Sequence, residues 1–216
     1  MPVQNRANSF CRVVRLRNDP RRVDEGIKLW TKEILPLLKK QKGFGGATLT
    51  GNRKSGNGLS VTYWQSETAM KEARDHVRPE ALIVLAKTEA SIAEDDECEV
   101  ALLERFNTAR SGVWARITTL QGDTAQTDRA IANFRQHIVP SMKKQWGART
   151  ALYFVNRQTG KTFAGSVWDT EQDLHRSEAI AELRDGAVTQ FGGHDPRTEA
   201  FEIYFTEILT PAALVG

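Results

Sequence analysis

The stretch ILPLLKKQKGFGGATL at residues 34–49 returns as IVPSMKKQWGARTALY at residues 138–153. A constant shift of 104 positions carries Ile34 to Ile138, Pro36 to Pro140, Gly43 to Gly147 and Ala47 to Ala151. Working outward, the same shift carries Asn52 and Arg53 to Asn156 and Arg157, Gly56 to Gly160, and Trp64 to Trp168. Toward the N-terminus it matches Phe10 and Arg12 with Trp114 and Arg116, and Ile27 and Trp30 with Ile131 and Phe134. Near the end the offset falls to 103, pairing Glu99 and Glu104 with Glu202 and Glu207, which a one-residue deletion explains. Two rare tryptophans in register make chance a poor explanation. The chain reads as a tandem duplication of one domain-sized module.

Periodicity gives the order of elements within each copy. Phe10 to Arg17 and Val113 to Leu120 are rich in β-branched and apolar residues and read as first strands. Asp19 followed by Pro20 is a helix start, an N-cap and then a proline at the first helical position. Ile27, Trp30, Ile34 and Leu38 then recur at helical spacing, as do Ile131, Phe134, Ile138 and Met142, and both stripes read as core. Pro36 and Pro140 predict a kink or a new turn about one turn before the helix ends, and Gly43 and Gly147 close it.

Second strands are expected at Ala47 to Asn52 and Arg149 to Asn156, hairpin turns at Lys54 to Gly58 and Gln158 to Lys161, and third strands ending at Trp64 and Trp168. A second helix follows the N-caps Ser66 and Thr170, and a further helical stretch is expected from Pro79 to about Ala93. Final strands are expected at Cys98 to Phe106 and Phe201 to Leu209. The sum is βαββαβ in each copy, the ferredoxin-like plan. The expected organisation is a flexible N-terminus over 1–8, modules over 9–106 and 113–209, a linker over 107–112 and a tail over 210–216.

Composition narrows the function classes. An apolar fraction of 40% with 26% charged residues is that of a globular protein with a real core. The net charge of +3 is dispersed, and the basic run at Lys39, Lys40 and Lys42 falls where a helix dipole favours cations, so no nucleic-acid partner is expected. Met1 to Ser9 is polar and no apolar run approaches about 18 residues, so the reading is a cytoplasmic protein with no membrane partner. Cys11 and Cys98 lack the spacings of zinc or redox motifs, and the four histidines show no clustering with carboxylates, so no metal site is expected.

The two quoted stretches, with the strand-to-helix junctions YWQSETAM (63–70) and VWDTEQDL (167–174), resemble the antibiotic biosynthesis monooxygenase-like members of the dimeric α+β barrel superfamily. Members of that superfamily usually pair two subunits so that two four-stranded sheets close a barrel. The resemblance therefore implies an α+β fold in which two ferredoxin-like βαββαβ modules form that barrel within one chain, a pseudo-dimer, with further oligomerisation left open. It also implies a small-molecule ligand, and a cofactor-independent monooxygenase acting on an aromatic or phenolic substrate. The alternatives are a non-catalytic small-molecule-binding barrel and a haem-binding or haem-degrading protein. Some similar proteins bind haem through a helix histidine after this tryptophan, with an asparagine on the first strand. Here His76 follows Trp64 by 12 residues, His175 follows Trp168 by 7, and the first strands contain no Asn. The expected cofactor is therefore none, with haem as the alternative.

Arg12 and Arg116 are the leading candidates for chemistry. Along the first strand Phe10, Arg12, Val14 and Leu16 share a face, and Trp114, Arg116, Thr118 and Leu120 share the matching one. If that face looks into the barrel, two guanidiniums line an enclosed cavity and suit an anionic ligand. The other reading is pairing with carboxylates on the last strand, where Glu99 and Glu202 lie. Trp64, Trp168, Phe10 and Trp114 are candidates for an aromatic pocket wall, or plain packing. Tyr63, Tyr153 and Tyr204 are candidates to hydrogen-bond a phenolic ligand, and His76 and His175 to relay protons. His137 and His194, the latter in the Gly-rich stretch FGGHDP, read as surface residues.

Overall fold

A computed structural model describes residues 9–107 and 112–209. The expected segments 1–8 and 210–216 and most of the expected linker 107–112 lie outside the described residues. Strands β1 (Phe10–Arg17), β2 (Phe44–Gly51), β3 (Asn57–Trp64) and β4 (Ser91–Arg105) belong to the first copy, and β5 (Trp114–Gln121), β6 (Ala148–Val155), β7 (Lys161–Trp168) and β8 (His194–Ile208) to the second. They run in the order β1-β3-β2-β8-β5-β7-β6-β4 in a closed barrel, the expected α+β arrangement.

Two compact units emerge. The described part of unit 1 ends at Glu97 and resumes at Ile203, and unit 2 is Cys98–Glu202. The long strands β4 and β8 thus each contribute to both units. Within unit 2 residues Glu99 to Arg105 pair antiparallel with β6, and within unit 1 Leu209 donates its N–H to the Gly45 carbonyl.

In unit 1, β1 pairs with β3 in register from Phe10↔Trp64 to Arg17↔Asn57. The sheet's helix-side residues, Ala47, Leu49 and Trp64, pack with Trp30, Ile34, Leu38, Met70 and Val77 of the helices. Unit 2 repeats the pairing, from Trp114↔Trp168 to Gln121↔Lys161. Its helix-side core joins Ala151 and Tyr153 to Ile131, Ile138 and Met142.

The helices carry the repeated proline feature. In unit 1, α1 (Val23–Leu29) runs into a π-helical turn, Trp30–Ile34, and then α2 (Leu35–Lys39); in unit 2, α4 (Thr127–Asn133) runs into Phe134–Ile138 and then α5 (Val139–Lys143). Pro36 and Pro140 cannot donate the usual helical hydrogen bond, and the helix widens just before each. Leu35 N–H bonds to the Trp30 carbonyl and Val139 N–H to the Phe134 carbonyl, five residues back. Gly43 and Gly147 end these helices at φ 77°, and a Cβ on either would strike Ala69 or Asp173 of the following helix at 2.8 and 2.6 Å. Asn52 and Asn156 each cap the hairpin, their side chains accepting two backbone N–H groups.

Three expectations are corrected. Helix α3 (Glu67–Lys87) is continuous through Pro79, which lies on its exposed side, where a carbonyl left without its helical donor is open to solvent. It ends at Lys87, so Ile92 and Ala93 are in β4 and not in a helix. Both final strands begin earlier than expected, and His194 opens β8 instead of sitting in a loop. In unit 2 the single α3 is replaced by α6 (Glu171–Arg176), a 3-10 turn Ser177–Ile180 and α7 (Ala181–Gln190).

Candidate functional site

Strand alternation puts Arg12 on the same face as Val14 and Leu16, opposite Thr62 of β3. That face does not look into the barrel as expected: it meets the helices, because Arg12, Thr62 and Trp64 line a cavity with Trp30, Met70 and Val77. The other face of β1, with Cys11, Val13 and Arg15, is the more buried. The cavity holds about 90 Å³, with Ser60 and Thr62 as its hydroxyls and Arg74 and Arg78 among its lining. Its walls are otherwise mostly apolar, in the manner of small-molecule sites.

Arg12 is paired, but with Asp95 of β4 and not with Glu99. Its Nε donates to Asp95 Oδ1 at 2.6 Å, Nη2 engages the second carboxylate oxygen, and Arg78 Nη1 lies 3.6 Å from the same carboxylate. Arg74 pairs with Glu97, so the site is cationic at its wall and largely neutralised outside it. Glu99 is taken instead by Arg157, whose pKa is raised by hydrogen bonds to Glu99 and Asp128.

The same three positions recur in unit 2 as Arg116, Ser166 and Trp168, around a cavity of about 50 Å³. Arg116 stands opposite Ser166 as Arg12 does opposite Thr62. Its environment differs. Nη1 donates to Ser177 Oγ at 2.6 Å and Nη2 to the Leu174 carbonyl at 2.7 Å, with Glu178 Oε1 2.5 Å from Nη2. Arg116 therefore caps the end of α6 and the turn after it.

Both tryptophans are buried and spend their indole N–H on the hydroxyl two residues earlier. Trp64 Nε1 donates to Thr62 Oγ1 at 2.9 Å and Trp168 Nε1 to Ser166 Oγ at 2.8 Å. Phe10 and Trp114 flank them across the strands, packing on the helix-side cores without lining these cavities. Tyr63 lies on the opposite face, across from Cys11. Tyr204 lines a smaller unit 1 cavity of about 50 Å³ near the hairpin, with Arg53 over its ring at 4.5 Å. A matching cavity of about 70 Å³ in unit 2 is lined by Tyr153, Phe134 and Thr162. Each sheet–helix cleft thus has two chambers, with Trp30 in unit 1 and Phe134 and Ile138 in unit 2 bordering both.

The expected histidines are elsewhere. His76 is exposed with Nδ1 3.2 Å from Gln41 Oε1, and His175 is exposed beside Glu171. No histidine or cysteine is among the described residues lining these four cavities, so the helix-histidine ligation expected of a haem does not fit here. Among the described residues no three metal-ligating side chains gather, and no helix is long and apolar enough to cross a membrane. Trp30, Ile34 and Leu38, read from their spacing as core alone, also form the cavity wall. Asp95, Arg74, Arg78, Ser177 and Glu178 carried no sequence signal. Thr62 and Ser166 carried one, a hydroxyl two residues before each matched tryptophan.

A barrel of this topology with an apolar, arginine-bearing cleft under the helices has the α+β fold of proteins related to antibiotic biosynthesis monooxygenases. Among solved structures, the chain is similar to an anthrone oxidase-like protein (TM-score 0.71, 14% identity, 96% of each chain covered). It is also similar to a Fusobacterium nucleatum protein provisionally named a monooxygenase (TM-score 0.69, 12% identity, 93% of this chain and 94% of that one). A Listeria monocytogenes ferredoxin-fold protein related to those monooxygenases is a further likeness (TM-score 0.51, 10% identity, 94% and 99% covered). No family model matches. Among curated sequences, the uncharacterised Mycobacterium tuberculosis protein Rv2558 is 24% identical over 207 residues, covering 94% of this chain and 86% of the relative. Rv2557 is 22% identical over 190 residues, 88% and 84%.

Proposed function

We propose that the Arg12 chamber binds a small aromatic molecule with an ionisable oxygen, and that the chain acts on it as a monooxygenase without a resident cofactor. The observation that carries the reading is the placement of three guanidiniums, of Arg12, Arg74 and Arg78, and two hydroxyls, Ser60 and Thr62, on the wall of a mostly apolar cavity beside Trp64. The names of the structural neighbours, monooxygenases and an anthrone oxidase-like protein, support the reaction class.

The chemistry asks for stabilisation of a substrate anion and exclusion of bulk water. Arg12 and the two hydroxyls favour the ionised oxygen, and the proton leaves to solvent at the rim, because the described lining offers no carboxylate, imidazole or phenol as a base. The anion gives one electron to dioxygen, the two radicals combine into a peroxide anion on a carbon that still bears a hydrogen, and a proton taken back from solvent makes it a hydroperoxide. Loss of water then leaves a carbonyl. One oxygen atom stays on the product, the other departs as water, and the substrate supplies all the electrons.

Oxygen uptake with anthrone, followed at an electrode with the quinone product quantified, tests this reading. The protein is expected to consume oxygen, and Arg12→Met to lower the rate by about tenfold or more, the loss of a charge-assisted contact. Binding of the substrate without oxygen consumption would leave a ligand-binding barrel and overturn the oxygenase.

A further inference from the structure

We infer that the outer face of α3 is a docking surface for a second copy of this chain, the two α3 helices packing antiparallel about a twofold axis. The inference rests on unit 1 alone and does not depend on the oxygenase reading.

Helix α3 is apolar on two faces. Its inner face, with Met70, Ala73, Val77 and Val84, packs in the core of unit 1. On the opposite side Pro79, Leu82, Ile83 and Ala86 recur at the spacing of one helix face, and all four are exposed. Leu82 and Ile83 are 48% and 49% exposed, and the other exposed large apolar side chain among the described residues, Trp146, belongs to unit 2. Contiguous exposed apolar surface marks an interaction site, where single scattered residues do not. The second copy shows that the fold itself does not ask for such a stripe. The described residues that α7 exposes are Asp185, Gly186, Thr189 and Gln190, and none carries a large apolar side chain.

The flanking charges choose the occupant. At about 100° per residue, Arg78 and Glu89 fall along one edge of the stripe and Glu80 and Lys87 along the other. Each edge thus holds one cation and one anion at opposite ends. Laid antiparallel, each edge meets the same edge of the other helix. Arg78 then comes beside Glu89 of the second copy and Lys87 beside its Glu80, while Leu82 lies over its Ile83 and Pro79 over its Ala86. Every contact occurs twice, the self-complementarity that a twofold interface requires. Opposite charges would meet in a parallel pair too, but the antiparallel one also sets the two helix dipoles head to tail. Arg78, Lys87 and Glu89 hold Asp95, Glu33 and Arg22 within the chain, yet their side chains stay 50%, 49% and 71% exposed, open to a further partner. Balanced signs give no advantage to a strongly acidic or basic protein or to an anionic lipid surface. Exposed pairs of this kind select the partner more than they tighten it.

The stripe and its edges run from Arg78 to Glu89, roughly 17 Å of helix about 10 Å wide. That is below the surface of about 800 Å² per partner that a stable dimer buries, so a dissociation constant in the micromolar range or weaker is expected.

Sedimentation velocity of the full chain between about 1 µM and about 1 mM is expected to show monomer passing to dimer. Leu82→Lys and Ile83→Glu change exposed positions, and each alone is expected to weaken the dimer about tenfold or more. Mixed in equal amounts, the two variants are expected to dimerise about tenfold more tightly than either alone, because the new lysine of one then faces the new glutamate of the other. Thermal unfolding of each variant, expected to match the parent, confirms that association and not folding is read. A parent that stays monomeric across the range overturns the proposal, whatever else then binds the stripe. So does a dimer that neither substitution weakens, or a mixture no tighter than its components.

Discussion

Trp64 and Thr62 face the helices from the same strand, and the indole N–H of the first is donated to the hydroxyl of the second. Because Trp64 is 2% exposed, water cannot replace that acceptor. Thr62→Val keeps the shape and removes the hydroxyl, leaving a buried donor unsatisfied, and is expected to cost about 1–3 kcal/mol in urea unfolding. Thr62→Ser, which restores the arrangement at Ser166 and Trp168, is expected to cost clearly less. A smaller loss for Val than for Ser would show that the methyl group, not the hydrogen bond, matters.

Arg116 and Arg12 occupy matched positions but do different work. Removing Arg116 strips partners from Ser177 and from the Leu174 carbonyl at the buried end of α6. Glu178 is half exposed and water can solvate it, so its share is small. Ser177 Oγ still donates to the Leu174 carbonyl, so Arg116→Met is expected to lower stability by about 1–3 kcal/mol through the loss of two charge-assisted hydrogen bonds. Arg12→Met should cost less in thermal unfolding, since Asp95 keeps Arg78 close by. The reverse ranking would contradict the assignment of Arg116 as structural.

These assignments also mark where the sequence stopped being legible. The repeat exposed the module, the capping residues and the proline-bounded turn, because each depends on neighbours along the chain. Alternation correctly grouped Arg12 with Val14 and Leu16 but could not say which side the helices cover. The reason is that β1 is buried on one face and half-buried on the other, and β2 is buried throughout. Ser91 to Glu97 is acidic and without apolar alternation, so it did not read as strand, and with it went Asp95, the partner of Arg12. Strand state there comes from tertiary pairing, which overrides propensity. The partners of Arg116 were hidden for a related reason. They lie where the second copy breaks its helix into α6 and α7, a departure from the repeat that defined the first reading.

Gly43 and Gly112 share a positive φ, 77° and 74°, and differ in surroundings. An added Cβ at Gly43 meets Ala69 Cβ at 2.8 Å, while at Gly112 nothing lies within 4 Å. Gly112→Ala should therefore cost only the left-handed backbone penalty, about 1–2 kcal/mol. Gly43→Ala adds a clash between two backbone-anchored carbons and should cost at least about 1 kcal/mol more. Denaturant midpoints of the two variants, compared with the parent, measure the difference. Equal losses would mean that α3 shifts freely away from the turn, contrary to its capping by Ser66.

Tyr153 makes the stability of unit 2 sensitive to alkali in a defined direction. Burial lifts its folded-state pKa above the ordinary value of 10.0, although the Thr162 hydrogen bond opposes the shift. Above pH 10 an unfolded chain surrenders this proton while the folded chain keeps it, so the unfolded state binds fewer protons and stability falls as pH rises. The contribution is complete below pH 10 and disappears as the pH passes through the folded value. Tyr153→Phe removes the group, and the difference in unfolding free energy between parent and variant should narrow in the parent's disfavour as pH climbs past 10. The ultraviolet signature of tyrosinate should appear at higher pH in the folded parent than in the urea-unfolded chain, and that late component should be missing from the variant. A parent and variant whose stabilities run parallel across this range would mean that the hydroxyl is solvated.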